Sequence, residues 1–100
     1  MATISLYYWA GAKAAAGVSM ERFEGDCVAV ALDQARRARG SDAHFDRVLR
    51  VSSVLVDGVV ARAEDLDRHL SQDVRVEILP PFAGGSAQVD PRQRAVRKTL

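Results

Sequence analysis

Apolar residues recur with a period of two near the start of the chain and again at residues 74–78, and with a helical period between them. In residues 3–9, TISLYYW, Ile4, Leu6 and Tyr8 share one face and Thr3, Ser5, Tyr7 and Trp9 the other, which predicts a first strand. Tyr7, Tyr8 and Trp9 read mostly as core, and any of them left exposed on the sheet would mark a docking surface. Residues 10–17, AGAKAAAG, are small and bounded by glycines, and read as a loop with at most one helical turn on the alanines. Residues 18–25 form a more polar second strand ending at Gly25, paired with the first as an antiparallel hairpin. Asp26 stands where a helix N-cap is expected. Val28, Ala31, Leu32 and Ala35 follow at helical spacing, Arg36, Arg37 and Arg39 occupy the last turns, and Gly40 closes the helix.

Beyond a polar connection, Phe45, Val48 and Leu49 repeat at i, i+3, i+4, so a short helix is expected over 43–50. Val51 to Val56 is β-branched and runs into Asp57-Gly58, a strong hairpin signal, with Val59 and Val60 returning. Ala63 to Leu70 is charged, with Leu66 and Leu70 four apart, which suits a turn of helix. Val74, Val76 and Ile78 then alternate with Arg75 and Glu77 as a half-buried strand, stopped by Pro80, which has no amide proton for a ladder. The fold class is α+β: a mixed sheet of four or five strands with one main helix packed on it. A hairpin, a helix crossing the sheet and further strands make the β-grasp arrangement, although propensity alone leaves other α+β arrangements open.

One hundred residues hold one core, and 48% hydrophobic against 27% charged residues suits a packed domain. The net charge of +1 is unevenly spread. Residues 1–85 carry ten Lys/Arg and twelve Asp/Glu, a net −2, whereas residues 86–100 carry Arg92, Arg94, Arg97 and Lys98 against Asp90, a net +3. The single cysteine, Cys27, excludes an internal disulfide and a cysteine-cluster metal site, and it reads as a small packed side chain rather than a nucleophile. His44 and His69 lie far apart without a helix-spaced ligand partner, so no metal site is expected and both read as surface or cap residues. Arg36, Arg37 and Arg39 read as a solvated helix end. No apolar run approaches the roughly 20 residues a membrane helix needs, and no signal-type leader is visible, so the cytoplasm is the expected compartment. Four basic residues without interleaved aromatics are a weak nucleic-acid footprint, and no nucleic-acid or membrane partner is expected.

The stretch with the most chemical content is Leu79-Pro80-Pro81-Phe82-Ala83-Gly84-Gly85. Directly after the last strand of a β-grasp order, it resembles the C-terminal arm of the ubiquitin-like sulfur carriers of the MoaD/ThiS type. The YYWAGAKAAAG stretch and the Leu55-Val56-Asp57-Gly58 hairpin are similar to that family at the level of pattern. The resemblance spans residues 2–85 and implies a domain 1–85 followed by a flexible basic extension, 86–100. It implies that the chain is not itself an enzyme and has no catalytic residue or bound cofactor. An adenylating enzyme would use ATP to activate the Gly85 carboxylate, Gly84 would lie beside it, and a thiocarboxylate would follow for molybdopterin or thiamin synthesis. Pro80, Pro81, Phe82 and Ala83 would form the docking arm, and a larger synthase subunit is a further implied partner.

The residue types fit such an arm. Glycines let backbone approach closely in a narrow tunnel, prolines keep the segment extended, and a phenylalanine is an apolar anchor. One departure stands against it: Gly85 is followed by Ser86, so its carbonyl is an amide, which cannot be adenylated. Three explanations are open. A processing protease removes 86–100, the small residues around Gly85 making that bond accessible; the domain binds partners with no thiocarboxylate chemistry; or the extension is foreign to the natural product. Asp90, Pro91 and Gln93 are placed as the start of a short helix with Val96 and Leu100 on one face, too short to persist alone in water, so the extension is expected to be disordered unless docked.

Overall fold

The computed structural model describes residues 1–81. In chain order these form β1 (Ala2–Tyr8), α1 (Gly11–Ala16), β2 (Met20–Gly25), α2 (Val28–Ala38), α3 (Ala43–Val51), β3 (Ser53–Val56), β4 (Val59–Val60), α4 (Ala63–Leu66) and β5 (Val74–Leu79). The strands join in one mixed sheet in the order β2-β1-β5-β3-β4. β1 and β2 form the expected antiparallel hairpin, with Ile4 opposite Phe23. β5 lies parallel to β1, Leu6 opposite Val76, and antiparallel to β3, Val54 opposite Ile78. The final strand is therefore central, flanked by β1 and β3.

The period of two in β1 is realised in full: Ala2, Ile4, Leu6 and Tyr8 are buried, and Thr3, Ser5 and Tyr7 are half-exposed on the opposite face. The buried face joins Val76 and Ile78 of β5 and Val54 of β3 to Val28, Ala31, Leu32 and Ala35 of α2, the apolar stripe read from helical spacing. Among the described residues every buried apolar side chain lies within Ala2–Ile78. Each large aliphatic side chain buried here contributes about 1.5–3 kcal/mol relative to exposure.

Two further helices complete the layer. α3 runs one residue longer than expected at its end, so Val51 is its last residue and 60% exposed rather than part of the next strand. It buries Phe45 and Leu49, and Asp42 caps it by accepting from the amides of His44 and Phe45 at 2.8 and 3.2 Å. Residues 11–16, expected as a loop with one helical turn on the alanines, are helical throughout and bury Ala12; Ala10 turns the chain into α1 at φ 49° and the Trp9 carbonyl accepts the first amides. The N-cap of α2 is Cys27, not Asp26, and no side chain caps it. Asp26 is exposed, and its carbonyl accepts from the Leu70 amide at 2.7 Å, tying the start of α2 to the segment before β5. The β3–β4 hairpin closes through Asp57 and Gly58, both at positive φ (49° and 84°), as a two-residue turn of this hand requires.

Candidate arm root and sheet face

β5 delivers the chain to the edge of the sheet between β1 and β3, where Leu79 pairs with Ser53 and Ile78 with both Tyr8 and Val54. The departure point is held. The Trp9 amide donates to the Ile78 carbonyl at 3.2 Å, and the Pro80 ring lies beside Gly11, 4.0 Å from the place a Cβ would take there. Pro80 is half-buried against α1, and Pro81 is exposed. Phe82, Ala83, Gly84, Gly85 and the helix expected at 90–100 lie outside the described residues. Of the expected site residues, the structure thus places the two prolines, at the root of the arm.

Beside this root the outer face of the sheet carries a connected set of aromatic and charged side chains. β-pleating places Tyr7, Met20, Arg22, Arg75 and Glu77 there, opposite the helices. The Arg75 guanidinium stacks on the Tyr7 ring at 3.9 Å from its centroid. The Glu77 carboxylate accepts from the Trp9 indole Nε1 at 3.1 Å and lies 3.9 Å from Arg75. Trp9 is nevertheless 45% exposed. It stands beyond the end of β1, where Ala10 turns the chain away, and so escapes the core that claims Tyr8. Tyr7, Trp9, Lys13 and Met20 line a shallow depression of about 150 Å³. The reading of Tyr7 and Trp9 as core fails, because Tyr7 lies on the sheet face away from the helices and Trp9 is bonded to Glu77 of that same face, while Tyr8, on the helix side, satisfies it.

On the inner face the sequence concealed a second polar centre. Arg39, expected to be solvated, has a side chain only 13% exposed and folds back over the core. Its Nη2 pairs with Glu21 Oε2 at 2.8 Å, its Nε donates to the Ala16 carbonyl at 3.1 Å, and its Nη1 donates to the Ala35 carbonyl at 2.9 Å. The guanidinium lies 4.4 Å from the centroid of Phe45 and 5.5 Å from that of Tyr8, whose hydroxyl donates to Glu21. Tyr8 and Phe45 meet edge to face at 5.9 Å. Burial, with the Glu21 carboxylate beside it, pushes the Tyr8 phenol well above its ordinary range. Arg36 and Arg37 are the more solvated pair, bonded to Asp46 and Asp33. The network ties α1, β2 and the end of α2 together.

Among the described residues no three His, Cys, Asp or Glu side chains gather as metal ligands, and no helix is long and apolar enough to cross a membrane. Cys27 is half-buried, and His44 and His69 are exposed and distant from the arm root in sequence.

No family sequence model and no curated protein sequence matches this chain. Solved structures do resemble it. Small archaeal modifier protein 1 from Methanosarcina acetivorans has a TM-score of 0.69 at 22% identity, covering 85% of this chain and 98% of that one. Putative molybdopterin converting factor subunit 1 from Pyrococcus furiosus has a TM-score of 0.63 at 18% identity, covering 81% and 99%. A chain from the complex of subunits 1 and 2 of molybdopterin-converting factor from Helicobacter pylori has a TM-score of 0.56 at 13% identity, covering 83% and 99%. The resemblance read from the sequence is thus present in the architecture: the chain has the ubiquitin-like β-grasp fold of these small proteins.

Proposed function

We propose that this chain is a ubiquitin-like sulfur carrier, or its precursor, whose working group is the Gly85 carboxylate. The observation that carries the reading is the position of the arm: the central strand β5 ends at Leu79, Pro80 is seated against α1, and the diglycine follows within six residues. Two prolines at the exit lower the conformational freedom of the segment and so the entropy lost when it enters a partner's tunnel. Glycines at the tip accept the backbone approach a nucleotide site needs. The structural neighbours, a modifier protein and subunits of molybdopterin-converting factor, favour the same reading, since all are matched over almost their whole length.

The chemistry belongs to the partner. A Gly85 carboxylate oxygen attacks the α-phosphorus of ATP and pyrophosphate leaves. A sulfide-equivalent nucleophile then attacks the acyl carbon, AMP leaves, and the thiocarboxylate remains. The chain's own residues present the group and need supply no acid, base or metal. Because Ser86 occupies Gly85's carbonyl carbon as an amide, residues 86–100 must first be removed by a processing protease. A larger synthase subunit is proposed as the recipient of the sulfur, in the cytoplasm.

Intact-mass measurement of the protein recovered from its own cells tests this. A species ending at Gly85, with a fraction heavier by the oxygen-to-sulfur difference, is expected. The amide at Gly85 favours a second reading, a β-grasp interaction module without thiocarboxylate chemistry. Recovery of full-length chain alone, together with no ATP–pyrophosphate exchange by the cognate adenylating enzyme on a 1–85 chain, would establish that reading instead.

A further inference from the structure

We infer that Trp9, Ala10 and Gly11 form a clasp on the end of β5 that fixes the direction in which the arm leaves the sheet. They are positioning residues, acting on the arm through Ile78 and Pro80. The inference rests on the carrier reading above and names the residues that aim its terminus.

A broken rule of turn chemistry leads to it. The Ala12 amide donates to the Trp9 carbonyl at 2.9 Å, and Ala10 between them has φ 49° and ψ −124°. Those dihedrals belong to the first central position of a type II′ turn, where glycine is favoured because a Cβ is strained. The chain instead carries alanine there and glycine one residue later. The turn by itself favours the reverse order, glycine first. Gly11 has its own reason to be glycine: the Pro80 ring lies 4.0 Å from the place its Cβ would take. An alanine would close that gap, and a longer side chain would push the ring away.

A strained backbone persists only where its surroundings over-determine it, and such residues cluster where geometry serves a function. The surroundings of Ala10 do this. The Trp9 amide donates to the Ile78 carbonyl at 3.2 Å, its indole Nε1 donates to Glu77 at 3.1 Å, and its carbonyl also accepts from the Lys13 amide at 3.4 Å. The residue before Ala10 is thus tied to the end of β5, and the residue after it lies against the first residue of the arm. The bonds at Glu77 and Ile78 and the contact at Pro80 bracket Leu79, which pairs with Ser53 on its other flank. The strand end therefore cannot pivot. An arm that leaves in a fixed direction loses less freedom when an enzyme positions its carboxylate.

Two readouts test this. On the full chain, the nuclear Overhauser contact between the Gly11 α protons and the Pro80 ring reports the seat. On a 1–85 chain whose circular dichroism is first matched to that of the full chain, ATP–pyrophosphate exchange by the cognate adenylating enzyme gives KM and kcat. Ala10→Gly relieves the strain and lets the turn open. It is expected to leave the melting temperature equal or higher, to weaken the Gly11–Pro80 contact, and to raise KM about fivefold with kcat little changed, as freeing about one more backbone residue would. Gly11→Leu and Glu77→Leu are expected to raise KM likewise, while Glu77→Gln, which keeps an acceptor for the indole, recovers the parent KM. Gly58→Asn, in the turn at the opposite end of β3, is expected to lower stability without moving KM, so a shift in KM does not merely follow stability. An Ala10→Gly chain that keeps the parent KM, whether its seat contact is kept or lost, overturns the clasp and leaves the carrier reading standing. Absence of exchange on the unmutated 1–85 chain sinks the carrier reading, and the clasp with it.

Discussion

Replacing Arg39 by methionine separates a buried cation from a solvated one on the same helix. Methionine keeps an unbranched apolar stem over Phe45 but removes the guanidinium, and with it the Glu21 ion pair and the bonds to the Ala16 and Ala35 carbonyls. The Glu21 side chain is 23% exposed and would keep only the Tyr8 hydroxyl as a partner. Breaking one side of a buried pair costs about 3–5 kcal/mol. The residual access to water on both groups places the expected loss at the lower end, near 3 kcal/mol, including about 1 kcal/mol of cation–aromatic attraction. At roughly 4–8 °C per kcal/mol for a domain of this size, the melting temperature should fall by about 12–24 °C. The comparison is Arg37→Met, whose pair with Asp33 is 78% and 50% exposed and should contribute no more than about 0.5 kcal/mol. Urea unfolding followed by circular dichroism measures both. Combining Arg39→Met with Glu21→Gln should recover a substantial part of the loss, because the stranded charge is gone. If Arg39→Met costs no more than Arg37→Met, the buried network is not what holds α1, β2 and α2 together.

Three other outcomes are expected. Gly25→Ala places a Cβ 2.9 Å from Val30 Cγ1 and 3.3 Å from its Cβ, so it should destabilise by about 1–3 kcal/mol, and adding Val30→Ala should restore most of that in the same urea assay. Gly58→Val puts a β-branched residue at φ 84° with open space around it, so backbone strain alone should cost at least about 1–2 kcal/mol, whereas Gly58→Asn should cost less, read from thermal melts. The Tyr8 phenol is held above its unfolded value of about 10, so the unfolded chain ionises first and stability should fall as pH climbs past that point. Tyr8→Phe should flatten that alkaline decline; a decline of unchanged slope would mean another group is responsible.

How far the site could be read follows from the range of each signal. The end of β5 at Pro80 is legible because a proline acts through its own backbone, whatever surrounds it. Trp9 and Arg39 were misplaced because their surroundings come from distant segments. Alternation sets Trp9 on the same face as Tyr7, but it does not say which face the helices cover; they cover the other one, and Trp9 stays on the surface, bonded to Glu77, 68 residues away. Arg39 stands where cations usually meet water, yet the Ala16 carbonyl, the Glu21 carboxylate and the Phe45 ring take it in. Asp26 shows the same thing in backbone form: its type suits a cap, but its carbonyl is claimed by Leu70.

Taken alone, the amino-acid order determined the pieces whose cause is local. These are the period of two in β1 and β5, the apolar stripe of α2, the Asp57-Gly58 turn and the stop that Pro80 puts to the last strand. Periodicity and dihedral preference act within a few residues, so they survive without any knowledge of neighbours. Only the tertiary structure decided that β5 lies between β1 and β3, that α1 is helical, and which aromatic and basic side chains face water. Those outcomes depend on surfaces brought together across the whole chain, where burial outweighs what any short window of residues prefers.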